Sequence, residues 1–238
     1  VTGNVTGNVT GTADKSVQIE TTAAATDASH YLTFVSNLTN QQNDLLVDGG
    51  ISYNPFSDIL NVTGSIATTA VKFPTSGTVA PYQEGLISYD FVDKTFIGYN
   101  EFTDVTMNFG EELWLRVRNT TGVTIPNGAV VYISGSSGQR PLISLAIAND
   151  KTTAETIGVA THDIAHNAQG IVTVSGLVRG LDTSSFTTGD IVHLSPTVAG
   201  TYYVGIPSGP TEYHVRVGIV ITSHPTNGVL MVSTDSRS

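Results

Sequence analysis

Apolar and polar residues alternate most cleanly between Tyr213 and Ile221, where Tyr213, Val215, Val217, Ile219 and Ile221 fall on one face. A period of two marks a half-buried strand. The stretch Leu113-Trp114-Leu115-Arg116-Val117-Arg118 repeats the pattern, with Leu113, Leu115 and Val117 on one face and both arginines on the other. Shorter apolar runs predict strands at Val130–Ile133, Leu142–Ala146, Ile171–Val174, Ile191–Leu194, Tyr202–Val204 and Val229–Val232. Turn signals separate them at Pro126-Asn127-Gly128, Gly189-Asp190 and Asn227-Gly228. Eight short strands at this spacing predict a closed barrel or sandwich over residues 111–238. The helical candidates, Ala23–Ala28 and Lys151–Thr156, are too short to shape the fold.

Residues 1–80 follow a different pattern. The chain opens with Val-Thr-Gly-Asn written twice and Val9-Thr10-Gly11-Thr12 after it. β-Branched residues suit a pleated surface and Gly and Asn suit turns, but nothing in the repeat is large enough for a core. Its valines must be buried against copies of itself, so the segment reads as the lower part of a fibrous β shaft. The repeat is already running at residue 1 without an initiator Met, which suggests a fragment. Val17–Glu20 and Leu32–Ser36 read as short strands, and 49–62 as a hairpin whose turn starts at Asn54-Pro55. The hairpin signature, Ile-Ser-Tyr-Asn/Asp before a turn and an apolar strand, recurs at Ile87–Phe96. Residues 73–81 read as a linker and 81–110 as a hairpin connector ahead of the compact domain.

Composition narrows the function classes. Charged residues make up 13% of the 238, against about 25% in ordinary soluble domains. The net charge is −10, and the ten Lys and Arg are scattered without a basic cluster, which argues against nucleic acid and anionic membrane surfaces. No apolar run approaches the roughly 18 residues of a spanning helix. The chain has no cysteine, so disulfides and thiolate chemistry are excluded, and assembly in a reducing cytoplasm is expected. Asn-x-Thr sequons at Asn4, Asn8, Asn37, Asn61 and Asn119 read as accidents of a Thr-rich chain.

Several stretches resemble tailed-bacteriophage fibre proteins. Tyr31-Leu32-Thr33-Phe34-Val35, Gly50–Pro55 and Glu84–Asp90 running into Trp114–Asn119 are similar to their shaft segments. Gly158–Ile164, Val178–Thr183, Gly189-Asp190 and Leu194-Ser195 resemble the β domain that ends many of them. The resemblance implies an all-β homotrimeric virion fibre, assembled in the bacterial host cytoplasm. Its partners would be copies of itself, other virion proteins through the N-terminal end, and a host surface glycan or protein. A tail fibre for host attachment is the leading role. A head fibre or capsid decoration protein is the alternative, and a glycan-depolymerising tail spike the second.

Candidate chemistry is sparse. His162 and His166 flank Asp163 at a spacing that would hold a metal on a helix, but Asn167 and Gly170 follow, so the stretch reads as a polar loop. In a trimer, one His from each chain meeting at the axis is the remaining route to an ion. His193, His214 and His224 stand singly in or beside strands. Glu111, Glu112, Asp163, Asp182, Asp190 and Glu212 are the available acids for glycoside chemistry. Asp182 and Asp190 sit in turn contexts, and a single Trp leaves no aromatic platform for a sugar. The expectation is therefore a non-enzymatic protein without catalytic, cofactor or metal residues, with Ser134–Gln139 as an exposed hairpin tip.

Overall fold

The computed structural model describes residues 30–35 and 45–237, with side-chain surroundings given for 50–235. The Val-Thr-Gly-Asn repeat, the Val17–Glu20 strand, the Ala23–Ala28 helix and the sequons at Asn4, Asn8 and Asn37 lie outside the described residues. The chain divides into two compact units, Val1–Val71 and Lys72–Ser238. This division differs from the expected boundaries at 80 and 110: residues 81–110 belong with the C-terminal unit. The reason lies in side chains reaching from that segment to later strands. Phe102 packs on His162 with ring centroids 4.5 Å apart, and Glu101 pairs with Arg116.

The described part of the first unit is an antiparallel sheet of β1 (His30–Val35), β2 (Leu45–Asn54) and β3 (Ile59–Val62) in that order. Its turn is built by Asn54, whose Oδ1 accepts from the backbone N–H of Phe56 at 2.9 Å. Asp58 completes the turn with φ 55°, and the Tyr53 hydroxyl donates to its carboxylate at 2.7 Å.

The second unit opens with the same device. β4 (Ile87–Tyr89), β5 (Phe96–Tyr99) and β6 (Thr106–Asn108) form a three-stranded antiparallel sheet. Asp90 Oδ1 accepts from Val92 and Asp93 at 2.7 and 3.0 Å, and Lys94 takes the left-handed position with φ 58°. Tyr89 faces Phe96 as Tyr53 faces Leu60. The recurring Ile-Ser-Tyr-Asn/Asp sequence thus encodes one hairpin twice, because a short acceptor side chain at the turn start satisfies the next free N–H groups.

The remaining strands form one nine-stranded sheet. They are β7 (Leu113–Asn119), β8 (Val130–Ser137), β9 (Arg140–Leu145), β10 (Thr156–Ala160), β11 (Gln169–Leu181), β12 (Ile191–Leu194), β13 (Tyr202–Val204), β14 (His214–Thr222) and β15 (Gly228–Arg237). Their order is β10-β8-β9-β7-β11-β15-β14-β12-β13. An extra pairing of β10 with β11 closes the first five into a ring, leaving β15-β14-β12-β13 as an extension. A single-turn helix, α1 (Lys151–Ala154), lies between β9 and β10 with Asp150 as its N-cap. Among the described residues, no helix is long and apolar enough to cross a membrane.

Two cores share a wall. Val117, Ile125, Val131, Ile143, Ala160, Ile164 and Val172 fill one, while Val130, Val159, Val178, Val192, Leu194, Val215, Val217 and Leu230 fill the other. Adjacent residues Val130 and Val131, and again Val159 and Ala160, point into opposite cores. Period-two geometry makes this possible, and it explains why β8 and β10 start or end as unbroken apolar runs.

The clean alternation expected on β14 breaks midway. Val215, Val217 and Val220 are buried, whereas Ile221 is exposed. The register slips between Arg216 and Gly218 against both neighbours: Arg216 faces Asp235 and His193, but Gly218 faces Val232 and Val192. One irregularity flips the inward set, as a bulge does. Gly218 is required there, since a Cβ would lie 2.1 Å from the Met231 carbonyl oxygen. Gly218→Ala is therefore expected to destabilise the protein by about 1–3 kcal/mol through forced separation of strands. Gly135→Ala, where the added methyl meets Leu142 at an ordinary 3.7 Å, should change stability by less than about 0.5 kcal/mol. Equilibrium denaturation of both variants checks the contrast.

Candidate cleft around Arg179

Arg179, near the end of β11, faces the Glu111-Glu112 pair at the entry to β7. Gly176 lets these segments approach, because a Cβ there would sit 2.3 Å from the Glu111 carbonyl oxygen. The Glu112 side chain is 2% exposed. One of its oxygens pairs with the Arg179 guanidinium, and the other accepts from the Asn108 N–H at 3.3 Å. Glu111 takes the looser contacts, 3.7 Å to Arg179 and 3.3 Å to Asn108 Nδ2. Burial pushes the Glu112 carboxyl above its usual range, and the Arg179 pairing opposes that shift.

A cleft of about 290 Å³ opens beside this pair, with Asp90, Asp93, Asp104 and Trp114 in its walls. Asp104, Thr161 and Arg179 also border a second hollow of about 440 Å³ that takes in Asn127, His162 and Asp163. Carboxylates therefore surround one guanidinium. Glu112 has the raised pKa of a candidate general acid. Both its oxygens are engaged, however, by Arg179 and by the Asn108 N–H, and only 2% of the side chain is exposed where it lines the cleft. Its geometry is that of a buried carboxylate paired with a partly exposed guanidinium, joining the entry of β7 to β11.

His162 is buried under Phe102, and its Nε2 accepts from the Ile171 N–H at 3.1 Å. Burial holds its pKa below the ordinary 6.5, with Asp104 and Asp163 acting the other way. His166 turns elsewhere: its Nδ1 accepts from the Gly122 N–H at 2.9 Å. Asp163 accepts from the Asn127 N–H at 2.8 Å. The three residues of the His-Asp-His stretch thus serve three separate backbone groups. Among the described residues, no three His, Asp or Glu side chains converge as metal ligands.

The other acids are dispersed in turns. Asp182 accepts from the Ser184 N–H and hydroxyl, and these bonds hold its pKa below the usual carboxylate range. Asp190 accepts from the Thr187 N–H at 2.7 Å, and Glu212 from Ser208 and Gly209 at 2.9 and 2.8 Å. His224 Nδ1 accepts from Thr226 and Asn227, bracing the turn into β15. Residues Ser134–Gln139 are all exposed, at the tip of the β8–β9 hairpin. Of the remaining sequons, Asn61 is exposed, whereas Asn119 is fully buried with its Nδ2 bonded to the Val123 and Ile164 carbonyls.

Asp90, Asp93 and Asp104 were not legible as site residues, because only the folding of the β4–β6 sheet against β7 and β11 brings them near Arg179. His193 and His214 stack with ring centroids 4.8 Å apart, a pairing created by the β12–β14 ladder. No family model, curated protein or solved structure matches this chain.

Removing Arg179 strips the counter-ion from a buried carboxylate. Arg179→Ala should cost about 1–3 kcal/mol at neutral pH, and combining it with Glu112→Gln should recover most of the loss. Chemical denaturation of the single and double variants tests this coupling. His162 prefers its neutral form in the folded state, so the unfolded chain takes up the proton first as pH falls. Its stabilising contribution is complete above 6.5 and declines below that value. Wild type should lose more stability between neutral and mildly acidic pH than His162→Gln, measured as denaturation midpoints.

Proposed function

We propose that this chain is a non-enzymatic structural component of a bacteriophage virion, a homotrimeric tail fibre whose C-terminal β domain faces the host. The observation that carries the reading is the apolar surface of the first unit. Phe56 is 68% exposed and Leu60 56%, with Ile59, Ile66 and Val71 also exposed in the same unit. Large apolar side chains left exposed in this number are covered when chains associate. Threefold association is what the resemblance to phage fibre proteins implies. Two hairpins of one register, recurring at Asn54 and Asp90, suit a modular repeat.

Attachment follows from presenting the same loops in three copies, where weak contacts gain avidity. The exposed Ser134–Gln139 tip is a candidate contact. The non-enzymatic part of the reading is supported by Glu112, whose two oxygens are taken by Arg179 and the Asn108 N–H, and by acids that cap turns. A head fibre or capsid decoration protein would use the same architecture without receptor contacts.

The expected outcome of light scattering on the intact chain is three times the chain mass, and incubation with host capsule should release no new reducing ends. A monomer with an ordered first unit would overturn the assembly reading. Sugar release lost on Asp104→Ala would promote the depolymerising spike.

A further inference from the structure

The geometry points to a binding site for a neutral hydroxylated ligand, one saccharide ring in size, in the outer-face pocket of β12, β14 and β15. Val192, Leu194, Val215 and Val217 face the core, so His193 and Arg216 between them face outward. Strand register places His193 opposite Arg216 and Arg216 opposite Asp235, which sets the three side chains in one row across adjacent strands. His214 lies on the same face of β14, stacked on His193. With Ile191 and Ile206 they enclose about 200 Å³, smaller than the roughly 300 Å³ lower bound for drug-sized ligands.

Two polar atoms in this row are buried without a hydrogen-bond partner: His193 Nδ1 and Arg216 Nε. His193 is only 7% exposed although it sits on the outer face. Groups of this kind are rarely left unpaired in a native fold, so each orphan needs an account. Their chemistry is complementary. Burial first, then His214 and Arg216, disfavour the imidazolium form of His193, and the Gly205 backbone acts the other way. In the neutral ring an unpartnered Nδ1 is available as the acceptor, and Arg216 Nε offers an N–H.

A hydroxyl group satisfies both, donating to Nδ1 and accepting from Nε. A carboxylate or phosphate brings only acceptors and would meet the Nδ1 lone pair and the Asp235 carboxylate. Ile191 and Ile206 supply apolar surface for the C–H face of a ring, the amphipathic pattern of a saccharide. The pocket lies within one chain, so it does not rest on the trimer proposed above.

The test is to titrate the full-length protein with glucose, galactose, rhamnose and N-acetylglucosamine at millimolar concentration, following the six imidazole rings by heteronuclear NMR. At least one sugar should shift the His193 and His214 signals while leaving His166 and His224 unmoved. His193→Phe keeps the ring packing but removes the acceptor, and should weaken that binding by about tenfold. The wild-type titration locates the site without any variant. If no sugar moves either ring, the orphaned atoms hold water only and the proposal fails. A response to acetate or inorganic phosphate instead would identify an anion site and equally overturn it.

Discussion

β10 hydrogen-bonds to β8 along one edge and to β11 along the other, and the second pairing turns an open sheet into a five-stranded ring. Without it, Ile125, Val131, Ile143 and Ile164 would lie on the face of an open sheet, and two strand edges would be exposed. The same closure places Val130 and Val159 on the outside of the ring, where they become the floor of the second core. β15, β14 and β12 cover that floor with Leu230, Val217 and Leu194. Each core is therefore stable only because the other strand set holds the shared wall in place. Full burial of one such aliphatic side chain is worth about 1.5–3 kcal/mol.

One buried charge sits at a seam of this frame. Glu112 and Arg179 bridge β7 and β11 beside the β4–β6 sheet, and His162 is closed over by Phe102 from the same segment. Both contacts place titratable groups in low-dielectric surroundings, which explains why their pKa values move in opposite directions: up for the acid and down for the base. These residues join elements, and the hollow beside them follows from the joining. The outer face of β12 and β14 differs, because its buried His193 and Arg216 are left with unmet hydrogen-bonding capacity. In the proposed fibre, an ion-paired seam would stiffen the domain while the outer face remained available to a ligand.

What was legible in the sequence was local. The Asn54 and Asp90 turns could be read because the acceptor and the N–H groups it satisfies lie within three residues. The turn roles of Asp182 and Asp190 could be read for the same reason. Apolar alternation located β7 and β14, since a strand's period needs no knowledge of its partner. The slip at Gly218 was not legible, because it depends on the registers of Val192 and Val232, which belong to other strands.

By itself, the sequence determined an all-β chain, its hairpin turns and most strand positions, all consequences of short-range sterics and side-chain pattern. Tertiary structure alone decided the ring closure through β10–β11, the grouping of residues 81–110 with the second unit, and the meeting of His193, Arg216 and Asp235. It also separated His162 from His166, whose four-residue spacing would converge only on a helix. Which groups meet across strands is set by register and burial, and neither is written in any one segment.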